Sequence, residues 1–199
     1  MKVIDIIFAL ISGRIVGFLI GDFLKEWGIH LGLYYTLLLW ILLPFFALFC
    51  LWLAQLVGRK FLVVFQGAKH LLVGAVATVF DLKLFELLVW LFSFAVLLNP
   101  LVAKAISFLV STGVKYWGNK YWAFGRHEKE DWHKELLHFF FITLLGLLID
   151  VVIFHYFTKT LGPRLDVSPV ILTKLAVIFA ALIAAIWNFL GYKLLVFKK

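Results

Sequence analysis

Two stretches of this chain carry lysine and amide side chains at matching positions, 73 residues apart. They span residues 115–124 and 188–197, and in register they share an aromatic residue, a Gly, a Lys and a closing Phe. Ammonium and amide groups donate strong hydrogen bonds to phosphate, so these stretches predict contact with a lipid phosphate. The candidate binding residues are Lys115, Asn119, Lys120, Asn188, Tyr192 and Lys193.

The same residues have a second interpretation, which is anchoring at the membrane–water boundary. In a helix, residues 115 and 119 share one side, as do residues 188 and 192, because positions four apart are neighbours. Aromatic rings and long lysine side chains are both common at lipid headgroup depth. The aromatic residues that would form such a belt are Tyr116, Trp117, Tyr121, Trp122, Trp187 and Tyr192. Anchoring and phosphate binding are compatible, and both stay open at this point.

Further charges lie deeper within apolar segments, at Asp81, Lys104, Asp150 and Lys174. Asp81 is predicted to be equivalent to Asp150, and Lys104 to Lys174. A charge at the centre of a membrane costs about 2.5–3.5 kcal/mol, so such residues pair or line a polar path. One hypothesis is a salt bridge across each helix pair. The other is that these four residues line a path for a lipid headgroup.

Lys83 and Glu86 also lie within an apolar segment, without charged equivalents in the second copy. Residues three apart in a helix are neighbours. We therefore expect these two side chains to neutralise each other.

The composition predicts an integral membrane protein. The 199 residues are 64% hydrophobic and 15% charged, whereas a soluble domain is closer to half apolar and a quarter charged. Residues 27–58 and 175–192 contain no Asp, Glu, Lys or Arg. About 20 apolar residues cross the hydrocarbon core, so both runs are long enough to contain a membrane-spanning helix.

The predicted fold is an all-α polytopic transmembrane bundle with an internal duplication of a two-helix unit. Six helices are expected, at about 3–24, 31–57, 69–95, 101–123, 136–158 and 170–195. Repeats at a fixed period indicate a duplicated fold, here with copies at 66–124 and 135–197. Residues 1–65 lie outside the duplication and are predicted to form an additional helix pair beside a four-helix domain at 66–199.

The distribution of Lys and Arg predicts that both termini are cytoplasmic. Inner segments would hold twelve such residues and outer loops three. The three outer residues are Lys25, Lys159 and Arg164. The net charge of +8 is therefore explained by topology and by anionic lipid at the inner leaflet, and it does not indicate a nucleic-acid partner.

A family resemblance follows from these motifs and covers about residues 60–199. A basic lead-in at Arg59-Lys60 or at the later Lys69-His70, an acidic residue at Asp81, the Pro100–Ala103 segment and the two aromatic helix ends resemble the GtrA-like family of small membrane proteins. Lys115, Lys120, Lys193 and Tyr192 differ from the Asn and Arg residues of the family pattern.

The resemblance implies translocation of a polyprenyl-phosphate-linked sugar across the cytoplasmic membrane, for glycosylation of cell-surface polysaccharide. A subunit that anchors or regulates a polyprenyl-phosphate glycosyltransferase is the alternative, and an uncoupled small-molecule or ion transporter is a third hypothesis. The implied partners are the lipid-linked sugar and membrane lipids, with a glycosyltransferase and a second copy of the chain left open. No phosphate-binding glycine loop, metal-ligand pattern or catalytic set is present, so we expect neither a cofactor nor a metal, and no enzyme activity.

Overall fold

The computed structural model describes residues 1–26, 30–93, 100–127, 132–162 and 169–197. This part of the chain contains six long helices and no strand, which confirms the all-α prediction. The helices are α1 (Val3–Glu26), α2 (Leu33–Gly58), α3 (Leu62–Ser93), α4 (Pro100–Trp117), α5 (Trp132–Tyr156) and α6 (Pro169–Gly191).

Helix α3 begins seven residues earlier than predicted, at Leu62. The prediction placed the start at residue 69 because Lys69 was counted among the cytoplasmic residues. Instead, Lys69 and His70 are both buried within the helix. Only Arg59–Phe61 separates α2 from α3, and the amide N–H of Phe61 still donates to the carbonyl of Val57 at 3.1 Å.

Three helices continue into wider, π-helical turns. These segments are π1 (Gly118–Ala123) after α4, π2 (Phe157–Leu161) after α5 and π3 (Tyr192–Val196) after α6. In π1 the amide of Phe124 donates to the carbonyl of Asn119 at 2.9 Å, and in π3 the amide of Phe197 donates to that of Tyr192 at 2.7 Å. Both bonds span five residues, which is the spacing of a π-helix. Such turns are rare in proteins, and those that occur are often at functional sites.

The chain forms two compact units, Met1–Arg126 and His127–Lys199. In the first unit α1 packs on α2 and α3, and α2 packs on α3; α4 with π1 also packs on α3, and this pair is called the first hairpin. In the second unit α5 and α6 form a hairpin, with π3 against α5. The predicted division at residue 65 concerned the duplication and stays a prediction. In packing terms, the additional helix pair and the first predicted copy belong to one unit.

Among the described residues, four segments are long and apolar enough to cross a membrane. They are Val3–Asp22, Leu33–Gly58, Trp132–Leu161 and Phe179–Val196. Many large apolar side chains on these helices are exposed, as expected for residues that face lipid. The chain is therefore a multi-pass membrane protein, while the number of six spans and the orientation stay predictions.

Candidate functional site

The buried residues of α4 and α6 repeat with the same spacing. Every fourth residue from Ala103 to Asn119 is buried or half-buried, and so is every fourth residue from Ala176 to Tyr192. The two series are 73 residues apart throughout. Their members correspond in order: Ala103, Ser107, Ser111, Lys115 and Asn119 in α4 and π1; Ala176, Ala180, Ala184, Asn188 and Tyr192 in α6 and π3.

Asn119 is fully buried and connects π1 to α3. Its amide nitrogen donates to the carbonyl of Lys115 at 2.7 Å, so its amide oxygen faces His70. The Nδ1 of His70 lies 2.7 Å from that oxygen and donates to it. The first turn of π1 is thereby joined to a buried imidazole.

Tyr192 is fully buried at the equivalent position of the second hairpin. Its hydroxyl lies 2.6 Å from the hydroxyl of Thr143. Thr143 already donates to the carbonyl of Phe139 at 2.8 Å, so the Tyr192 hydroxyl is the donor between the two. The ring of Tyr192 stacks on Phe139, with centroids 4.0 Å apart.

The two hydrogen bonds occupy the same place in each hairpin. His70 and Asn119 are 49 residues apart, and so are Thr143 and Tyr192. Each bond joins the end of a second helix to the first helix of its own hairpin. The chemistry differs, with an imidazole and an amide in the first hairpin and two hydroxyls in the second.

Replacing Tyr192 with phenylalanine tests this contact. The ring still stacks on Phe139, but the hydroxyl donor is lost, so we expect a stability loss of about 0.5–1.5 kcal/mol. Denaturant unfolding in detergent, followed by circular dichroism, measures the change. Tyr156→Phe is the control, because Tyr156 is exposed on α5 of the same unit. Equal effects of the two substitutions would contradict the assignment.

The predicted equivalences of Asp81 with Asp150 and of Lys104 with Lys174 use a different offset from these bonds and stay predictions. At an offset of 73 residues, Asp81 is opposite Phe154 and Lys104 is opposite Val177. Asp150 and Lys174 are therefore displaced by three or four residues, about one helical turn, from the positions that this offset places opposite Asp81 and Lys104.

Of the four charged residues predicted to lie deeper in the helices, the structure describes the side chains of the two aspartates. The Oδ1 of Asp81 accepts a hydrogen bond from the hydroxyl of Ser107 at 2.7 Å, a partner that the sequence did not indicate. Asp150 is half-buried. The side chains of Lys104 and Lys174 lie outside the described residues, so the two predicted salt bridges stay predictions.

The lysines of the two helix ends differ in environment. Lys120 is 2% exposed, and its ammonium lies 3.2 Å from the hydroxyl of Tyr116 and against the rings of Tyr116 and Tyr121. Lys193 is half-buried, with its ammonium 5.9 Å from the ring centroid of Phe189. Lys115 is also half-buried. Snorkelling therefore does not describe Lys120, whose ammonium lies inside the unit.

Of the six residues in the expected aromatic belt, three are exposed and three are buried. Trp117, Tyr121 and Trp187 are exposed, as interfacial anchors would be. Tyr116, Trp122 and Tyr192 are buried instead. Trp122 lies in π1 and Tyr192 in π3, where each bonds to a side chain of another helix, whereas Tyr116 is buried within α4.

Asn188 is buried against a glycine of the facing helix. A Cβ atom at Gly146 would lie 2.8 Å from the Cγ of Asn188, so the absence of a side chain there makes room for the amide. Among the described residues, the Oδ1 of Asn188 has no hydrogen-bond partner. A buried polar atom in this state costs about 1–3 kcal/mol, and it would accept a donor from a ligand.

A buried ionic cluster joins α1 to α3 and π1, and the sequence analysis did not identify it. The carboxylate of Asp5 lies 2.5 Å from the ammonium of Lys69 and accepts hydrogen bonds from the indole N–H of Trp122 at 3.0 Å and the backbone N–H of Lys2 at 2.9 Å. Asp5 is 2% exposed and Lys69 is 9% exposed. An isolated Asp in an apolar helix signals a buried partner, but its identity is not encoded locally.

A second ionic contact joins the other end of α1 to α3. Lys83 lies 2.6 Å from Asp22 of α1 and 3.0 Å from Glu86, which confirms the predicted pairing of Lys83 with Glu86. Asp5 and Asp22 are 17 residues apart, a rise of about 25 Å along α1. Helix α1 is thus held to α3 by a carboxylate–ammonium pair at each end.

Residues 69–197 match the family model described as GtrA/DPMS, transmembrane domain. The match covers both hairpins and begins at the residue that pairs with Asp5, whereas α1 and α2 lie outside it. No curated protein and no solved structure matches the chain.

Proposed function

We propose, from the premise that this chain belongs to the GtrA/DPMS transmembrane-domain family, that it moves a polyprenyl-phosphate-linked sugar across the cytoplasmic membrane for glycosylation of cell-surface polysaccharide. The family resemblance predicted from the sequence is confirmed, and it indicates a membrane function related to polyprenyl-phosphate sugars. Translocation is more specific than this family function and is our proposal. In this proposal the chain itself catalyses no covalent step.

The observation that carries the proposal is a file of buried polar side chains along α4 and π1. Its members are Ser107, Ser111, Thr112, Asn119 and Lys120, each at most 6% exposed. From first to last they rise about 20 Å, two-thirds of the roughly 30 Å hydrocarbon core. Polar groups buried inside a membrane protein at such depth are costly, and they usually mark a substrate pathway.

The neighbouring helix adds charge and hydrogen-bonding groups to both ends of this polar file. His70 of α3 bonds to Asn119 near one end, and Asp81 of α3 bonds to Ser107 at the other. The buried ammonium of Lys120 is placed to attract the phosphate diester, which carries one negative charge. The isoprenoid tail stays in the bilayer, where the exposed apolar residues of these helices face it, so no wide pore is required.

The proposed orientation of the polar file across the membrane follows the positive-inside bias. Twelve Lys and Arg residues against three predict that both termini, and with them the Lys120 end of π1, face the cytoplasm. A lipid-linked sugar made on the cytoplasmic side would then meet Lys120 first and Ser107 later. The second hairpin has Ala180 and Ala184 where the first has Ser107 and Ser111, so this part of its equivalent face is apolar.

Exchanging the two serines for alanines tests the polar file. We expect Ser107→Ala with Ser111→Ala to slow headgroup crossing about tenfold, because two hydroxyl contacts of about 0.5–1.5 kcal/mol each are removed. The second hairpin carries alanine at the corresponding positions, which indicates that the helix packing accepts it. The assay uses purified protein in liposomes with a fluorescent polyprenyl-phosphate glucose, read by an impermeant quencher.

Thr78→Ala is the matched control, since Thr78 is exposed on α3 and bonds to the carbonyl of Gly74 within its own helix. It should leave the crossing rate unchanged. If wild-type protein moves the lipid no faster than empty liposomes, with and without a partner glycosyltransferase, the translocation proposal is wrong. In that case an increased membrane association of the enzyme would support the anchoring alternative.

A further inference from the structure

A cavity of about 260 Å³ lies between the end of α1 and the start of α2, at the opposite end of α1 from Asp5. Phe18, Gly21 and Asp22 line it from α1. Thr36 and Trp40 line it from α2, together with residues just before that helix. Both helices lie outside the matched family segment, so the family gives this cavity no role.

Trp40 presents an unused donor at the wall of this cavity. Its indole N–H is buried and has no hydrogen-bond partner among the described residues. A Cβ atom at Gly21 would lie 3.9 Å from that nitrogen, and Gly21 itself lines the cavity. A buried donor without an acceptor costs about 1–3 kcal/mol, so a ligand oxygen at this place would remove the penalty.

The Trp40 ring is held in place before any ligand arrives. The guanidinium of Arg14 lies 4.4 Å from the ring centroid, and its Nη1 donates to the Trp40 carbonyl at 3.1 Å. Such support fixes the direction of the indole N–H. A rigid donor loses little entropy when a ligand binds.

The other polar groups of the cavity are the imidazole of His30, which can donate and accept, and two acceptors, Asp22 and Thr36. One carboxylate oxygen of Asp22 is bound by Lys83 at 2.6 Å, and among the described residues the other oxygen has no partner. The hydroxyl of Thr36 donates to the carbonyl of Gly32 at 3.3 Å, so its lone pairs face outward as acceptors. Phe18 and Trp40 add aromatic faces.

This combination fits a sugar ring better than a phosphate. Hydroxyl groups can donate to Asp22 and Thr36 and accept from Trp40, while the apolar C–H face of the ring packs on an aromatic side chain. Among the described residues that line the cavity none is a lysine or an arginine, and the carboxylate of Asp22 would repel an anion. The volume is just below the range of about 300–1,000 Å³ typical of drug-sized sites, as suits one monosaccharide.

We infer that this cavity binds the sugar of the lipid-linked substrate at the side of the membrane opposite Lys120, and that this is the role of the additional helix pair. The inference rests on the proposed translocation. By the positive-inside bias the α1–α2 connection faces outward, so the cavity would receive the headgroup after crossing. Asp22 and Asp5 lie at opposite ends of α1, about 25 Å apart. The sugar site is therefore distant from the end of α1 that contacts Lys69.

Trp40→Phe tests the inference by removing the donor while keeping an aromatic ring. Binding to the purified protein in nanodiscs is measured for bare undecaprenyl phosphate and for its glucosyl, mannosyl and arabinosyl esters. We expect wild-type protein to prefer at least one glycosylated ester. Trp40→Phe should reduce that preference about fivefold, the value of one neutral hydrogen bond. The smaller phenyl ring also packs less well against Arg14, so a modest fall in the unfolding midpoint is expected even without ligand.

Trp52→Phe is the control, because Trp52 is exposed on the same helix. Gly21→Ala gives a second variant that keeps the fold. Its methyl group would enter the cavity at an ordinary contact distance of 3.9 Å from the indole nitrogen and should also lower the preference.

The outcomes separate the two proposals. Equal binding of bare and glycosylated lipids by wild-type protein, or an unchanged preference in both variants, would overturn the sugar site and leave the proposed function intact. No binding of any of these lipids would overturn both. A fall in the unfolding midpoint of Trp40→Phe without loss of preference would assign the indole a structural role and also overturn the sugar site.

Discussion

Asp5→Ala is expected to destabilise the protein by about 3–5 kcal/mol. The substitution leaves the ammonium of Lys69 buried without its carboxylate partner, and an unpaired buried charge costs about this much. The indole N–H of Trp122 loses its acceptor as well. Denaturant unfolding in detergent measures the effect. The rings of Phe65 and Trp122, 4.4 and 5.4 Å from the ammonium, compensate only in part.

Asp22→Ala is the matched control on the same helix. Asp22 also pairs with a lysine of α3, but about a third of each side chain in that pair is exposed, so its removal should cost about 0–1 kcal/mol. The double variant Asp5→Leu with Lys69→Met removes both buried charges and should recover most of the loss. If Asp5→Ala were as mild as Asp22→Ala, the buried ion pair would not stabilise the unit.

Gly13→Ala is expected to separate α1 from α2 and to cost about 3 kcal/mol, the upper part of the range for overpacking. A Cβ atom at Gly13 would lie 2.6 Å from the carbonyl oxygen of Leu43 and 2.6 Å from the Cα of Pro44. Both are backbone atoms, so no side chain can rotate away and α2 itself must move. The unfolding midpoint reports the loss.

Gly113→Ala provides the opposite expectation within the same unit. A Cβ atom at Gly113 of α4 would meet no atom within 4 Å. Alanine loses less backbone entropy than glycine in a helix, so this substitution should stabilise by about 0.5–1 kcal/mol. A similar loss for Gly13→Ala and Gly113→Ala would mean that α1 and α2 do not approach as closely as the structure indicates.

The two ion pairs change the interpretation of the first helix pair. From the sequence, residues 1–65 were separate from the duplicated segment. The structure joins α1 to α3 through Asp5 with Lys69 and Asp22 with Lys83. Lys69 and Lys83 belong to the matched family segment, and α1 supplies the carboxylate that pairs with each of them.

Much of the local structure was predictable, because it depends on neighbours along the chain. Apolar runs and their lengths predicted the six helices, and the i,i+3 spacing predicted the Lys83–Glu86 pair. The matched helix ends drew attention to Asn119 and Tyr192, and both prove to be fully buried. The start of α3 was missed because Lys69 was counted as a loop residue, and its buried partner Asp5 is distant in the chain.

The sequence by itself determined the membrane environment, the helices and the family, since hydrophobicity and motif spacing are properties of consecutive residues. Only the tertiary structure decided which polar residues meet. Asp5 pairs with Lys69, Asn119 with His70, and Tyr192 with Thr143, each across at least 49 residues of chain. The physical reason is that a buried charge or amide requires a partner, while helix packing selects that partner from distant positions.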